Sequence, residues 1–186
     1  ALLGAMTSAP ALAVVGGEVA RLNEAARAQL RSDPQAAQQQ AQRALTLAQA
    51  QQDRSGEVAA RVNLGAIERQ RGRLDQATIE FERAVAIARD SGDQAAYASA
   101  LANLGITLDL GGLHAEALEA QGEALRLYES LGKHANASAV LTNLGNSLSA
   151  LGDDVRARDH YQRALDLKRE HGITRGVGSI LNNLAD

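Results

Sequence analysis

The sequence predicts an all-α fold, an α-solenoid of stacked helix hairpins, and three observations lead to this prediction. A 40-residue repeat runs through most of the 186 residues, and self-similarity at such a period is typical of repeat architectures. Aromatic residues make up only 2% of the chain, so Ala and Leu must fill the core, which suits closely packed helices. No segment alternates apolar and polar residues as a half-buried strand does.

The repeat is most evident in an Asn-Leu-Gly triplet that recurs every 40 residues. It occurs at 63–65, 103–105 and 143–145, and as Asn-Leu-Ala at 183–185. Glycine and alanine keep the same interval at other positions of each unit. These positions are Gly72, Gly112, Gly152, Ala77, Ala117, Ala157, Ala84, Ala124 and Ala164.

The same register places a weaker copy before these units and part of another copy after them. The first copy has Glu24-Ala25 in place of Leu-Gly, so we expect it to be a degenerate capping repeat. The array is therefore predicted to cover residues 18–186. Its repeats are expected at about 18–54, 55–93, 94–133 and 134–173, with a half-repeat at 174–186.

Each unit is predicted to form two helices. In the second unit, residues 55–71 contain no helix breaker, and Gly72 supplies the left-handed conformation that ends many helices. A second helix is expected over about 74–90, with Ile79 on its inward side. Asp93 then offers an N-cap for the first helix of the next unit.

Small residues recur where the two helices of a unit should cross, and we expect Gly65 and Ala77 at this contact. Side chains must be small for two helix axes to reach the short end of the 8–10 Å range. A mid-helix glycine costs about 1 kcal/mol of helix propensity. Its recurrence indicates that close packing at least offsets this cost.

Charge and composition exclude several classes of function. The net charge is −3, with acidic and basic residues interspersed, so the chain lacks the basic stripe that binds nucleic acid. There is no cysteine, which excludes disulfides and thiolate metal sites. No apolar stretch reaches the ~20 residues that span a bilayer, and we expect no membrane insertion.

The sequence contains no motif for a catalytic, metal or cofactor site. The four histidines lack metal-ligand spacing, and the glycines follow the repeat rather than forming a phosphate-binding loop. No serine or threonine lies in a nucleophile-elbow context. We therefore expect a protein that is not an enzyme and that holds no cofactor.

Residues 1–17 carry no charge and form an apolar N-terminal segment that has several interpretations. Ala11-Leu12-Ala13 after an apolar run resembles a signal-peptidase site. If residues 1–13 are the end of a signal peptide, the protein is periplasmic. Otherwise the segment is a linker, a capping segment over the first repeat or an artificial extension, and we favour a cytoplasmic location.

The repeat pattern resembles the tetratricopeptide repeat (TPR), with Leu-Gly and a terminal Gly in helix one, then Ala, an aromatic and Ala in helix two. The 40-residue spacing is similar to the long TPR variety of kinesin light chains, Pins/LGN adaptors and bacterial regulatory arrays. This resemblance, over residues 18–186, implies a right-handed TPR superhelix of about four helix-turn-helix repeats plus a terminal half-repeat helix. Phe81 and Tyr161 keep the helix-two aromatic, whereas Ala41 and Gln121 replace it.

An asparagine occurs once per unit beside the inward-facing leucine, about 100° further around the helix and towards the groove. We call Asn23, Asn63, Asn103, Asn143 and Asn183 the asparagine ladder. Related TPR superhelices contact a bound chain through such a ladder, and an amide both donates and accepts hydrogen bonds. The resemblance therefore implies peptide binding by these residues, together with Ser99, Thr142 and Asn146. The alternative is that the asparagines only tie neighbouring repeats together.

The rest of the predicted groove is small and neutral. No basic pair matches the carboxylate clamp by which chaperone-type TPR domains hold a terminal carboxylate, so a receptor for chaperone tails is disfavoured. Arg69 and Asp109 are expected on the solvated helix surface.

Three functions are compatible with such an array. The first is a scaffold that binds a protein or an extended peptide in its concave groove, as the sensory or interaction part of a larger bacterial signalling or regulatory protein. The second is self-association, as a homodimer through the C-terminal face that carries Leu181 and Leu184. The third is the non-catalytic helical part of a multidomain enzyme such as a cyclase, kinase or protease.

Overall fold

The computed structural model describes residues 9–185, with side chains described from residue 17 onward. Within that range the chain forms nine α-helices and no strand, which confirms the predicted all-α fold. The helices pack in chain order as four hairpins, and α9 packs on α8, consistent with a TPR superhelix of about four repeats. Their bounds are α1 Ala9–Gln29, α2 Pro34–Gln51, α3 Arg54–Gln70, α4 Leu74–Ser91, α5 Gln94–Leu110, α6 His114–Ser130, α7 His134–Ala150, α8 Asp154–Glu170 and α9 Val177–Ala185.

The first helix begins at Ala9, inside the predicted apolar segment 1–17. Residues 1–8 lie outside the described part of the chain, so the signal-peptide and linker interpretations stay predictions. Further along α1, Val19 is fully buried. The degenerate first unit therefore packs as a member of the array.

The turns follow a 20-residue interval, half of the repeat, because helices α2 to α8 are all followed by a residue in the left-handed conformation. Six glycines in this interval have φ between 64° and 78°, a conformation that is inexpensive only without a Cβ. Gln52 takes the equivalent place with φ of 56°. The six glycines are Gly72, Gly92, Gly112, Gly132, Gly152 and Gly172.

The predicted N-cap at Asp93 is confirmed, since its Oδ1 accepts the Ala96 N–H at 2.9 Å. Such a cap satisfies an N–H group that the first helical turn leaves unpaired. The last helix begins at Val177, within the predicted half-repeat 174–186. Gly176, with φ of 78°, forms a turn before α9.

The predicted close approach of the two helices within a unit is confirmed. A Cβ on Gly65 would lie 2.8 Å from the Phe81 ring, which is closer than real contacts allow. Gly145 faces Tyr161 in the same way, and both rings are buried. The mid-helix glycines therefore make room for the aromatic residue of helix two.

In the third repeat, Gln121 occupies the place of that aromatic residue. It is 1% exposed and packs against Gly105. Neither its amide nitrogen nor its amide oxygen has a hydrogen-bond partner in the described part of the chain. Leaving a buried polar group unpaired costs about 1–3 kcal/mol, so this repeat packs like its neighbours at a higher energetic cost.

The expected inward position of Ile79 is wrong, because this side chain is 44% exposed. The buried stripe of α4 runs through Ala77, Phe81, Ala84 and Ala88. Ile79 follows Ala77 by two residues, which places it about 200° around the helix axis from that stripe.

The first helices of the hairpins form the inner row of the array. α3 packs against α1, α5 against α3 and α7 against α5, whereas the second helices of neighbouring hairpins lie further apart. An array curves towards its more closely packed row, so these first helices line the concave groove.

Within residues 9–185, no helix combines the length and the apolar character needed to span a bilayer. The same residues contain no group of three or more His, Cys, Asp or Glu placed to bind a metal ion. The rings of His134 and His171 instead stack on each other, with centroids 3.6 Å apart.

Candidate functional site in the concave groove

Two pockets open along the concave groove. The N-terminal pocket, with a volume of about 650 Å³, lies between α1, α3 and α5. The C-terminal pocket, with a volume of about 440 Å³, lies between α7, the end of α8 and the start of α9. Both volumes fall in the range that is typical of ligand sites in proteins.

The N-terminal pocket combines amide groups with balanced charge. Alanines such as Ala59 and Ala66 line it, which leaves room for a bound backbone to approach α3. Its acidic residues are Glu24 and Asp53, and its basic residues are Arg27 and Arg69. Four of the predicted binding residues contribute to its lining: Asn23, Asn63, Asn103 and Ser99.

Asn23 and Asn63 bind each other and tie α1 to α3. Asn63 Nδ2 donates to the backbone oxygen of Asn23 at 3.0 Å and to its side-chain oxygen at 3.1 Å. Asn23 Nδ2 donates to the backbone oxygen of Gly56 at 3.1 Å. At these two positions the asparagines therefore tie neighbouring first helices together. Of their two side-chain oxygens, only that of Asn63 makes no hydrogen bond to the described residues.

Asn103 is held by Arg69, which is not the solvated residue that the sequence predicted. The Arg69 guanidinium donates to the side-chain and backbone oxygens of Asn103, both at 3.1 Å, and to Thr107 Oγ1 at 3.3 Å. It also lies 5.2 Å from the centre of the Phe81 ring, and its burial lowers the pKa of Arg69. Asn103 Nδ2 donates to the backbone oxygen of Ser99 at 2.9 Å, so both ends of this amide are occupied.

Asn143 differs from the preceding ladder residues. Its backbone oxygen accepts a hydrogen bond from Ser147 at 3.2 Å, but its side-chain amide bonds to no residue within 17–185. Thr142, beside it, donates to the backbone oxygen of Ser138 at 3.0 Å and keeps its acceptor lone pairs. Asn143 and Thr142 both line the C-terminal pocket, where their unused hydrogen-bonding groups are accessible.

Asn146 and Asn183 connect α7 to α9 outside the two pockets. Asn183 Nδ2 donates to Asn146 Oδ1 at 2.9 Å, and the Tyr161 hydroxyl donates to the same oxygen at 2.8 Å. Asn146 is exposed, and its own N–H groups make no bond to the described residues. It therefore serves as a tie and still offers donors to the groove.

The C-terminal pocket also contains Lys168 and Arg175, which were not predicted from the sequence. Lys168 is 7% exposed, and its Nζ donates to the backbone oxygen of Arg175 at 2.7 Å. Burial, and then the like charge of Arg175, lower the pKa of Lys168. The 40-residue repeat could have indicated this site, because Lys168 occupies a repeat position at which the other units have the buried residues Ala48, Ala88 and Tyr128.

The helix hairpins and their groove agree with a known family of repeat proteins. The profile of the family described as tetratricopeptide repeat matches residues 57–130 and 112–170, which together make up more than half of the chain. The chain therefore belongs to the tetratricopeptide repeat family, whose modules are in general protein-interaction scaffolds. No curated protein matches the sequence.

Several solved structures share the fold. BtubC (BKLC) from P. vanneervenii matches with a TM-score of 0.65 and 20% identity, over 94% of this chain and 82% of its own. The kinesin light chain TPR-like repeats of Podosopora anserina match with a TM-score of 0.71 and 17% identity, over 90% and 83%. The apo form of RapI matches with a TM-score of 0.72 and 14% identity, over 91% of this chain and 52% of RapI. The chain thus spans about half the length of RapI, and identities this low show the fold alone.

Proposed function

We propose that this TPR array binds an extended segment of a protein partner in its concave groove and performs no chemistry of its own. One observation carries the proposal: the two pockets and most of the asparagine ladder lie on the same inner row of helices. An extended chain that follows this row passes both pockets.

The available groups suit the backbone of such a chain. An extended peptide presents N–H and C=O groups in alternation, and a side-chain amide can pair with either. Asn143 offers both its donor and its acceptor, whereas Asn63 offers its oxygen. Alanines at 59, 66 and 139 have short side chains that leave the groove open at these points, so a peptide backbone can approach the amides.

The wider role that we propose is the sensory or interaction part of a larger bacterial signalling or regulatory protein. The fold likeness to RapI, of which this chain spans about half, supports this context. The alternative is the non-catalytic helical part of a multidomain enzyme. The full gene sequence around the array distinguishes these two contexts by the domain that it encodes.

The binding proposal can be tested with a displayed library of random peptides. A peptide selected on the wild-type protein is titrated against Asn143→Ala and against Gln76→Ala, an exposed control on the second helix of a hairpin. We expect Asn143→Ala to weaken binding about fivefold, the value of roughly one hydrogen bond, and Gln76→Ala to leave it unchanged. Selection of no peptide, or equal affinities for all three proteins, would contradict binding in the groove.

Self-association is a second proposal, favoured by the exposure of Leu181. This side chain is 46% exposed on α9, so α9 presents apolar surface that a homodimer would bury. Sedimentation velocity at several concentrations measures the effect, with Leu181→Ser as the comparison. A wild-type protein that sediments as a monomer at every concentration excludes the homodimer.

A further inference from the structure

The C-terminal pocket collects positive charge without negative charge. Lys168 and Arg175 both line it, and no aspartate or glutamate is among its lining residues. The charge that acts on Lys168 is the like charge of Arg175. The N-terminal pocket differs, because two carboxylates balance its two arginines.

Lys168 is buried in a way that its packing does not require. The same register position holds alanine or tyrosine in other units, so the fold accommodates a neutral side chain there. Lys168 lines the open pocket, where an anion can reach its ammonium group. The single carbonyl of Arg175 accepts from its Nζ, which leaves two of the three N–H donors without a bond to the described residues.

The start of α9 adds backbone donors to the pocket. Gly176 and Ser179, at the start of α9, line it, and the first turn of a helix leaves N–H groups without intrahelical acceptors. The positive end of the helix dipole lies at the same place. On the opposite wall, Asn143 adds the free amide of the ladder.

We propose that this pocket binds a carboxylate of the partner segment, with Lys168 and Arg175 as the pairing cations and Asn143 as a neutral donor. The inference rests on the proposed function, since the carboxylate belongs to a chain in the groove. The pocket volume of about 440 Å³ suits a side chain or chain terminus rather than a lone ion. Its continuity with the ladder also favours a carboxylate carried by a peptide.

The test uses the peptide selected above in paired forms. In one pair, each acidic residue is replaced by its amide, and in the other the C-terminal carboxylate is replaced by a carboxamide. Dissociation constants are measured for the wild type, Arg175→Gln and Lys168→Met. The control is Arg169→Gln, which removes the same charge from an exposed residue of α8 that does not line the pocket.

We expect neutralising one carboxylate to weaken wild-type binding about tenfold, as for a charge-assisted hydrogen bond. The acid and neutral forms should differ little for Arg175→Gln and Lys168→Met, while Arg169→Gln keeps the full difference. The pair in which the effect appears identifies the carboxylate as a side chain or as the chain terminus. Arg175 is exposed, so Arg175→Gln should fold normally even if Lys168→Met does not.

Equal affinity of the acid and neutral forms would overturn the carboxylate site while peptide binding stands. Failure of every peptide to bind would instead overturn the proposed function and this inference with it. Inorganic phosphate and succinate serve as competitors. If millimolar phosphate abolishes the acid-specific difference and succinate does not, the pocket is a site for free phosphate and the assignment to a peptide carboxylate is wrong.

Discussion

The two pockets of the concave groove are made by the same repeat but differ in how their polar groups are bound. In the N-terminal pocket, Asn23, Asn63 and Asn103 bond to neighbouring helices. In the C-terminal pocket, the Asn143 side chain bonds to no described residue, and no described carboxylate lines the pocket beside Lys168. The tying interpretation thus describes the N-terminal half of the array and Asn183 at its end, whereas Asn143 is the ladder residue whose side chain ties no described helix.

The residue across the groove explains the difference. Arg69 lies 34 residues before Asn103 and holds its side-chain oxygen. The equivalent residue before Asn143 is Asp109, whose carboxylate contacts His114 Nδ1 at 2.8 Å instead. Two repeats can therefore keep the same asparagine and differ in how its side chain is bound, through one residue of the preceding unit.

The largest expected difference in stability is between variants of the arginines in the two pockets. Arg69→Ala removes three hydrogen bonds of a charged group, so we expect the free energy of unfolding to fall by about 2–3 kcal/mol. Arg175→Ala removes an exposed side chain and should change it by less than about 0.5 kcal/mol. Urea unfolding followed by circular dichroism measures both, and similar losses in the two variants would contradict the comparison.

A smaller effect separates two residues of the ladder. Asn63→Ala breaks the tie to Asn23, and the free energy of unfolding should fall by about 1 kcal/mol. Asn143→Ala breaks no tie and should leave it unchanged, although the same variant weakens peptide binding. The comparison fails if Asn143→Ala destabilises the protein as much as Asn63→Ala does.

The smallest effect is a pH dependence from Lys168. Burial lowers the pKa of Lys168 in the folded protein below its ordinary value of 10.5, so the unfolded chain binds more protons between the two values. The free energy of unfolding should therefore rise with pH across that window, while the penalty is fully present below it. Unfolding of the wild type and of Lys168→Met at a series of pH values isolates this slope. Parallel pH profiles for the two proteins would show that Lys168 is not the cause.

Much of the fold followed from local signals in the sequence. The left-handed glycines, the cap at Asp93 and the contact of Gly65 with helix two each depend on a few residues within one unit. The orientation of Ile79 was predicted wrongly from its hydrophobicity, because the small residues Ala77, Ala84 and Ala88 determine which face of α4 is buried.

The candidate site was less predictable, because its properties depend on contacts between neighbouring units of the array. Whether Asn103 is bound or free depends on Arg69, and the environment of Lys168 depends on the turn at Arg175. A single repeat contains neither piece of information. The ladder positions could be predicted, but their division into tied and free amides required the packed structure.

Gln121 has a consequence for the cooperativity of the array. The stability of a solenoid is close to a sum over repeats and their interfaces, so the cost of this unpaired amide falls on the third repeat, between the two pockets. Native-state hydrogen exchange should therefore be faster in α5 and α6 than in α3 and α7, and Gln121→Met should slow it. A peptide that engages both pockets would bridge this repeat, so binding would slow its opening.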